Sequence, residues 1–416
     1  MPAAVASTRT IREASGSSRP NARGPLAAEN IGARHVVAAW LAGRTRIAQV
    51  SQVLHVVYRV RSDAQSIDDR ARAIAVEQSV EMPISAIDDP FVLSEIVGRV
   101  EAIREAEPDI FEVRVALAAH TVGHDPGQLM NMLFGNTSLH HDVVLQDVEF
   151  PEEFSKQFGG PRHGLQALRR RAGARRRALT CSALKPQGLS TAKLAELASR
   201  FARGGIDYIK DDHGLANQVY SPFTERIAAV AAALRCIVSE DGQPTLYVPS
   251  LSGDLDTMRG QLTASAQVGI DTVLVAPMVV GLATFHTLVK EHPTIAFIAH
   301  PSMAGASRIA PALLLGKLFR MLGADAVVFP NHGGRFGYSL DTCRQLAQMA
   351  RCDWQGFRAS VPVPAGGMTP ERVPEMLDFY GPDTMLLIGG GLLVARERIV
   401  EETRAFVTAV RTYPYE

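Results

Sequence analysis

Eight short apolar runs recur in the C-terminal part of this 416-residue chain, and each ends at a polar or glycine-rich turn before a helix-like stretch begins. They cover residues 178–184, 206–209, 245–248, 272–276, 295–299, 326–329, 361–364 and 385–388. The segments between them, such as 191–203, 222–234, 310–322 and 370–379, carry apolar residues at three-and-four spacing. A strand that is apolar on both faces must be covered on both faces, so this alternation requires a parallel sheet sheathed in helices. Eight such units predict a closed TIM (β/α)8 barrel in an α/β protein; an open, doubly wound sheet is the other arrangement of the same units. In a barrel all eight turns lie on one rim, and function gathers there.

The second turn is the most crowded. After Ile206, Tyr208 and Ile209 come Lys210, Asp211, Asp212 and His213, four ionisable side chains in succession. Adjacent carboxylates repel, and one lysine neutralises only one of them, so a divalent cation is the economical explanation. Carboxylate-rich sets favour hard ions, magnesium first. A solvated turn holding a simple Lys–Asp pair is the plainer reading. The last two turns contain Gly366-Gly367 and Gly389-Gly390-Gly391. At those strands barrels often bind phosphate through backbone amides, although glycines also form ordinary turns.

Upstream, residues 1–30 are rich in Ala, Ser, Arg and Pro and lack hydrophobic periodicity, which predicts a disordered tail. Residues 31–160 predict an N-terminal α+β domain, ferredoxin-like, with strands at 53–60, 111–119 and 145–150 and helices at 67–76 and 91–106. The barrel domain then occupies 161–416. Six arginines fall within 169–177. Without interleaved aromatics they read as solvated surface, not as a nucleic-acid patch.

With 43 basic and 43 acidic residues, no global field points to nucleic acid or a membrane. No apolar run approaches the roughly 18 residues of a membrane span. The four cysteines stand far apart, which suits reduced thiols in a cytoplasmic enzyme.

Lys185-Pro186-Gln187-Gly188 after the first barrel strand, the Lys210-Asp211-Asp212 turn, His300, Gly366-Gly367 and Gly390-Gly391 together resemble the large subunit of ribulose-bisphosphate carboxylase. Glu77 in Val-Glu-Gln-Ser and Asn136 in Phe-Gly-Asn-Thr extend the likeness upstream. The resemblance implies Mg2+ held by Lys210, as its carbon dioxide-derived carbamate, and by Asp212. It also implies phosphate on Gly366, Gly367, Gly390 and Gly391, and a homodimer or higher even-numbered oligomer in which Glu77 and Asn136 complete a neighbour's site.

The sequence departs from the family at several of these points. His213 replaces a glutamate ligand, Gln187 a second lysine, and Pro301 a phosphate-binding arginine. The loop Pro330-Asn331-His332-Gly333-Gly334-Arg335 carries Arg335 near the place of a closing lysine. Such changes fit carboxylase-like proteins that do not fix carbon dioxide. They imply a keto-sugar or keto-acid monophosphate as substrate and an enolate intermediate.

In the roles so implied, Lys185 is the general acid or base and His300 orients a substrate hydroxyl. His213 is a ligand or proton shuttle, and His332 and Arg335 are substrate contacts. Within the group, the Lys-Asp-Asp-His-Gly and Pro-Asn-His-Gly-Gly-Arg stretches are most similar to enzymes that decarboxylate or cleave 3-oxo-isoapionate 4-phosphate. An isomerase or enolase of methylthio-ketopentose phosphates is the alternative within the enzyme class. A non-catalytic, sugar-phosphate-binding barrel is the alternative outside it.

Overall fold

The computed structural model describes residues 52–237, 243–334 and 336–415. The expected tail, the first part of the expected N-terminal domain and Arg335 lie outside the described residues. Eight parallel strands form the larger sheet: β5 (Leu179–Leu184), β6 (Tyr208–Asp211), β7 (Leu246–Val248), β8 (Thr272–Val275), β9 (Ala296–Ala299), β10 (Ala326–Pro330), β11 (Val361–Ala365) and β12 (Met385–Leu387). They coincide with the eight apolar runs. Their order is β7-β6-β5-β12-β11-β10-β9-β8. The ends of that order meet: Leu274 N–H donates to Pro249 O at 2.8 Å, and Leu251 N–H donates to Leu274 O at 2.9 Å. A barrel results, not an open sheet.

Strand alternation sorts the side chains of the barrel. Cys181, Tyr208, Val248, Leu274, Ile298, Val328, Val363 and Met385 pack together in the lumen, while Ile209, Val273, Phe297 and Val327 join the larger cluster under the helices.

The four strands β1 (Val53–Arg61), β2 (Arg99–Glu107), β3 (Ile110–Ala118) and β4 (Val143–Glu149) form a separate antiparallel sheet, in the order β2-β3-β1-β4. The helix Ile67–Glu77 lies on it through Ile67, Ala71 and Ile74. Residue Leu145 of β4 is stitched to the loop after β9: Leu145 N–H donates to Arg308 O, and Ala310 N–H donates to Leu145 O, both at 2.9 Å. Lys317 adds an ion pair to Asp147 at 2.6 Å.

Two expectations fail. Residues 91–106 are not one helix: a short helical turn spans Val92–Ile96, and from Arg99 onward the chain is the edge strand β2. Gly98 separates the two, with its α-carbon against the Ala75 carbonyl, where a side chain has no room. The Ala, Glu and Arg content of β2 imitates a helix, but its charges pair across the sheet, Arg59 with Glu107 and Arg114 with Glu101.

The arginine run is not plain surface either. Leu165, Leu168, Ala172 and Ala174 of the same segment pack with the lumen residues and close the barrel at the N-terminal ends of its strands. Around this plug Arg169 reaches Asp383 at 2.6 Å and Arg171 reaches Asp271 at 2.9 Å. Arg177 takes both oxygens of buried Asp207 at 2.7 Å. Only Arg170, Arg175 and Arg176 are exposed.

Breaking a buried pair strands a charge. Arg177→Met should lower the urea unfolding free energy by about 3 kcal/mol, whereas Arg175→Met should stay within about 0.5 kcal/mol of wild type. Equal effects would refute the plug.

Candidate functional site

The two-residue period of β6 decides which charges meet. Tyr208 faces the lumen, so Lys210 and Asp212 face it too, and Asp211 points outward. Asp211 is fully buried there: Tyr247 O–H donates to Oδ1 at 2.7 Å, while Arg226 Nε and Ser250 N–H donate to Oδ2 at 3.1 Å. The adjacent carboxylates therefore do not share a cation. Asp211 is neutralised by Arg226, and only Asp212 is left for the mouth of the barrel.

The same alternation brings in the neighbours. On β5, Cys181 faces the lumen, and Lys185, four residues on, reaches Asp212 Oδ1 with Nζ at 2.5 Å. On β9, Ile298 faces the lumen, and so does His300. The His213 ring stacks on His300 with centroids 4.3 Å apart and 16° between planes, and His213 Nδ1 lies 3.3 Å from Asp212 Oδ1. Lys185, Lys210, Asp212, His213 and His300 thus gather at one end of β5, β6 and β9. Lys185 and His213 are partly open to solvent, whereas Lys210 is buried.

Electrostatics separates their roles. Burial alone would raise the Asp212 carboxyl, but hydrogen bonds from His213 and Lys185 and the nearby Lys210 hold it well below the usual carboxylate range. Burial pushes the Lys210 ammonium below the usual lysine range. Its Nζ donates to the Asp211 carbonyl at 2.9 Å. Burial, reinforced by Lys210 and His213, drives His300 down to about 2, so its imidazole is neutral at physiological pH. Ser302 N–H donates to His300 Nδ1 at 3.2 Å. In a neutral ring the other nitrogen, Nε2, then carries the hydrogen and is a donor.

As an ammonium group Lys210 only donates and has no lone pair for a metal. Among the described residues no three His, Cys, Asp or Glu side chains converge as a metal cluster. Asp212 and His213 alone are a sparse set for magnesium, so the site fits that ion only if Lys210 gains an anionic oxygen.

The remaining expected residues fall in two other places. Asn136 Nδ2 donates to Glu77 at 2.9 Å and to Glu81 at 2.8 Å, so Asn136 and Glu77 meet on the N-terminal sheet domain. Gly366 and Gly367 have φ of 85° and 67°, and a β-carbon on Gly367 would lie 2.7 Å from Gly334 Cα. One on Gly391 would lie 2.7 Å from Met368 O. The loops after β10, β11 and β12 thus pack backbone to backbone, a geometry that needs glycine.

His332 does not join the cluster. Its ring lies 4.9 Å from Phe379 on the outer helix Val373–Tyr380. Neighbouring Asn331 is buried and accepts from Tyr380 O–H at 2.6 Å. Arg335 lies outside the described residues. Arg226, Tyr247 and Ser302 were missed from sequence. For Arg226 a signal existed: it interrupts the apolar stripe Phe223, Ile227, Val230 and Leu234 with a cation.

His300 gives a pH test. The unfolded imidazole takes its proton near 6.5, the folded one near about 2, so between these values the unfolded chain holds the extra proton and stability falls as pH falls. His300→Gln should flatten the dependence of the unfolding free energy on pH between about 4.5 and 6 by up to ~1.4 kcal/mol per pH unit. An unchanged slope in urea titrations would show that His300 is not held neutral.

Comparison with known proteins agrees with this fold. The profile of the ribulose bisphosphate carboxylase large chain, catalytic domain, matches residues 164–406. The chain is 59% identical over 358 residues to the 5-methylthioribulose-1-phosphate isomerase of Rhodospirillum rubrum, covering 86% of this chain and 96% of that protein. It is 33% identical to the 2,3-diketo-5-methylthiopentyl-1-phosphate enolase of Geobacillus kaustophilus, covering 72% of this chain and 74% of that enzyme. The crystal structure of a RuBisCO-like protein from Rhodopseudomonas palustris superposes with a TM-score of 0.82 at 50% identity, covering 88% of this chain and 100% of that one. The chain therefore belongs to the ribulose bisphosphate carboxylase large-chain family, among its RuBisCO-like proteins.

Proposed function

We propose that the protein isomerises a phosphorylated methylthio-ketopentose, with 5-methylthioribulose 1-phosphate as the substrate to test first. The observation that carries this reading is the 59% identity to an isomerase of that ketose phosphate across 96% of its length. It favours the isomerase branch over decarboxylation of 3-oxo-isoapionate 4-phosphate, the branch indicated by the short motifs alone.

Isomerising a ketose means removing a proton beside the carbonyl and returning one to the neighbouring carbon. Lys185 is the group placed to carry that proton at Nζ. Its contact with Asp212 at 2.5 Å holds Nζ at the mouth until substrate displaces it. His300 donates from Nε2 to a substrate oxygen, because Ser302 occupies Nδ1. Stacked over it, His213 limits how that oxygen can lie. The glycine loops at Gly366-Gly367 and Gly390-Gly391 receive the phosphate through backbone amides.

Lys210 is suited to carbamylation, since burial favours the neutral amine that adds to carbon dioxide, releasing one proton. The carbamate, Asp212 and His213 would hold magnesium, which supplies Lewis-acid polarisation of the keto oxygen. Glu77, half-buried, and Asn136, exposed, are hydrogen-bonded to each other and complete the site of a second copy in a homodimer.

The test is NMR in D2O with 5-methylthioribulose 1-phosphate, magnesium and bicarbonate. An isomeric ketose phosphate should form, with solvent deuterium at the exchanged carbon. Lys185→Met should lower kcat by about 10²–10⁴-fold. Carbon dioxide release from a β-keto acid phosphate, with no isomerisation, would instead select the decarboxylase reading.

A further inference from the structure

We propose that Arg226 is the positioning residue of this site, holding the loop that presents Asp212 and His213. It sits in the first turn of the helix Phe223–Arg235 and is fully buried, as is its partner Asp211. Its guanidinium is used in three directions. Nε donates to Asp211 Oδ2 at 3.1 Å, Nη1 to Ser221 O at 2.7 Å, and Nη2 to Ala216 O at 2.8 Å. The first contact grips the end of β6. The other two grip the loop that follows, at positions on either side of its tip.

That loop has other ties, the Asp212 contact with Lys185, the His213 stack on His300, a Thr191–Ser221 hydroxyl contact at 3.1 Å and the buried Leu215, but among the described residues only Arg226 joins its main-chain carbonyls to the end of β6. Its internal hydrogen bonds run from Gln218 Nε2 to Gly214 O at 2.7 Å, from Ala216 N–H to Gln218 Oε1 at 2.8 Å, and from Leu215 N–H to Asp212 O at 2.9 Å. These shape the loop without locating it. Burying a cation there is costly, and a leucine in its place would continue the apolar stripe. The planar fork gives what a leucine cannot: one rigid group that ties the strand end to two loop carbonyls. Lysine could keep the ion pair with Asp211 but cannot reach both carbonyls in the same geometry.

The experiment uses the full chain with Arg226→Lys, and Tyr247→Phe as the comparison. Tyr247→Phe removes a bond to Asp211 and leaves the loop contacts. Arg226→Lys should unfold cooperatively like wild type, yet amide hydrogens in residues 212–221 should exchange at least ~10-fold faster while those of β8 to β10 keep their protection. Its kcat should fall by about 10²-fold with KM nearly unchanged, as expected when reacting groups are displaced without loss of binding. Tyr247→Phe should leave exchange in 212–221 close to wild type.

Unaltered exchange in 212–221 of Arg226→Lys overturns the proposal. So does faster exchange of equal size in Tyr247→Phe, or a loss of activity that merely follows the unfolded fraction. If Arg226→Lys does not fold, the neutral pair Arg226→Gln with Asp211→Asn is judged by the same criteria. The kinetic arm rests on the proposed isomerisation. If the wild type does not turn over the ketose phosphate, that reading fails, and hydrogen exchange alone decides the role of Arg226.

Discussion

The strand period at the end of β6 is the constraint on which the site depends. Two residues per repeat put Lys210 and Asp212 on the inner wall and send Asp211 outward to Arg226 and Tyr247. A shift of one residue would exchange the two sets, placing the Arg226-paired carboxylate at the mouth and the one beside Lys185 under a helix. Pairing of Ala183 with Lys210 across β5 and β6 sets the register, and the same alternation then delivers Lys185 and His300 from their own strands. The geometry of the site is thus largely a property of the barrel wall, and the loops refine it.

The two ends of the barrel handle charge in opposite ways. At the N-terminal ends of the strands, Arg169, Arg171 and Arg177 meet Asp383, Asp271 and Asp207, and each charge has its counterpart. At the other end Asp212 receives from Lys185 and His213 together, while Lys210 has only a carbonyl. One end is electrostatically satisfied and shut. The other holds a surplus of donors around a single acidic group, which leaves room for an anionic, oxygen-rich ligand.

Much of this could be read in advance, for identifiable reasons. Parallel barrel strands are apolar on both faces, so all eight stood out as short continuous runs, and their turns marked the rim. Lys185, Lys210, Asp212, His213 and His300 were legible because each lies just where such a run ends. The edge strand β2 was not: it is solvent-facing, has no apolar alternation to display, and its Ala, Glu and Arg content has helical character until the partner strand is known. The arginine plug was hidden for a related reason. The partners of Arg169, Arg171 and Arg177 are 30 to more than 200 residues away in sequence, and no local pattern announces them. Asp211 was misjudged because charge crowding along the chain was taken for crowding in space.

The contact between Gly334 and Gly367 has a further consequence. Each loop occupies the volume that a side chain on the other would need, and both are at van der Waals closeness through main chain alone. Neither position can drift by itself. Divergence among relatives at this seam should come as paired change, with any gain of bulk on one loop matched by retreat of the other, so that the shape of the seam is inherited as a unit.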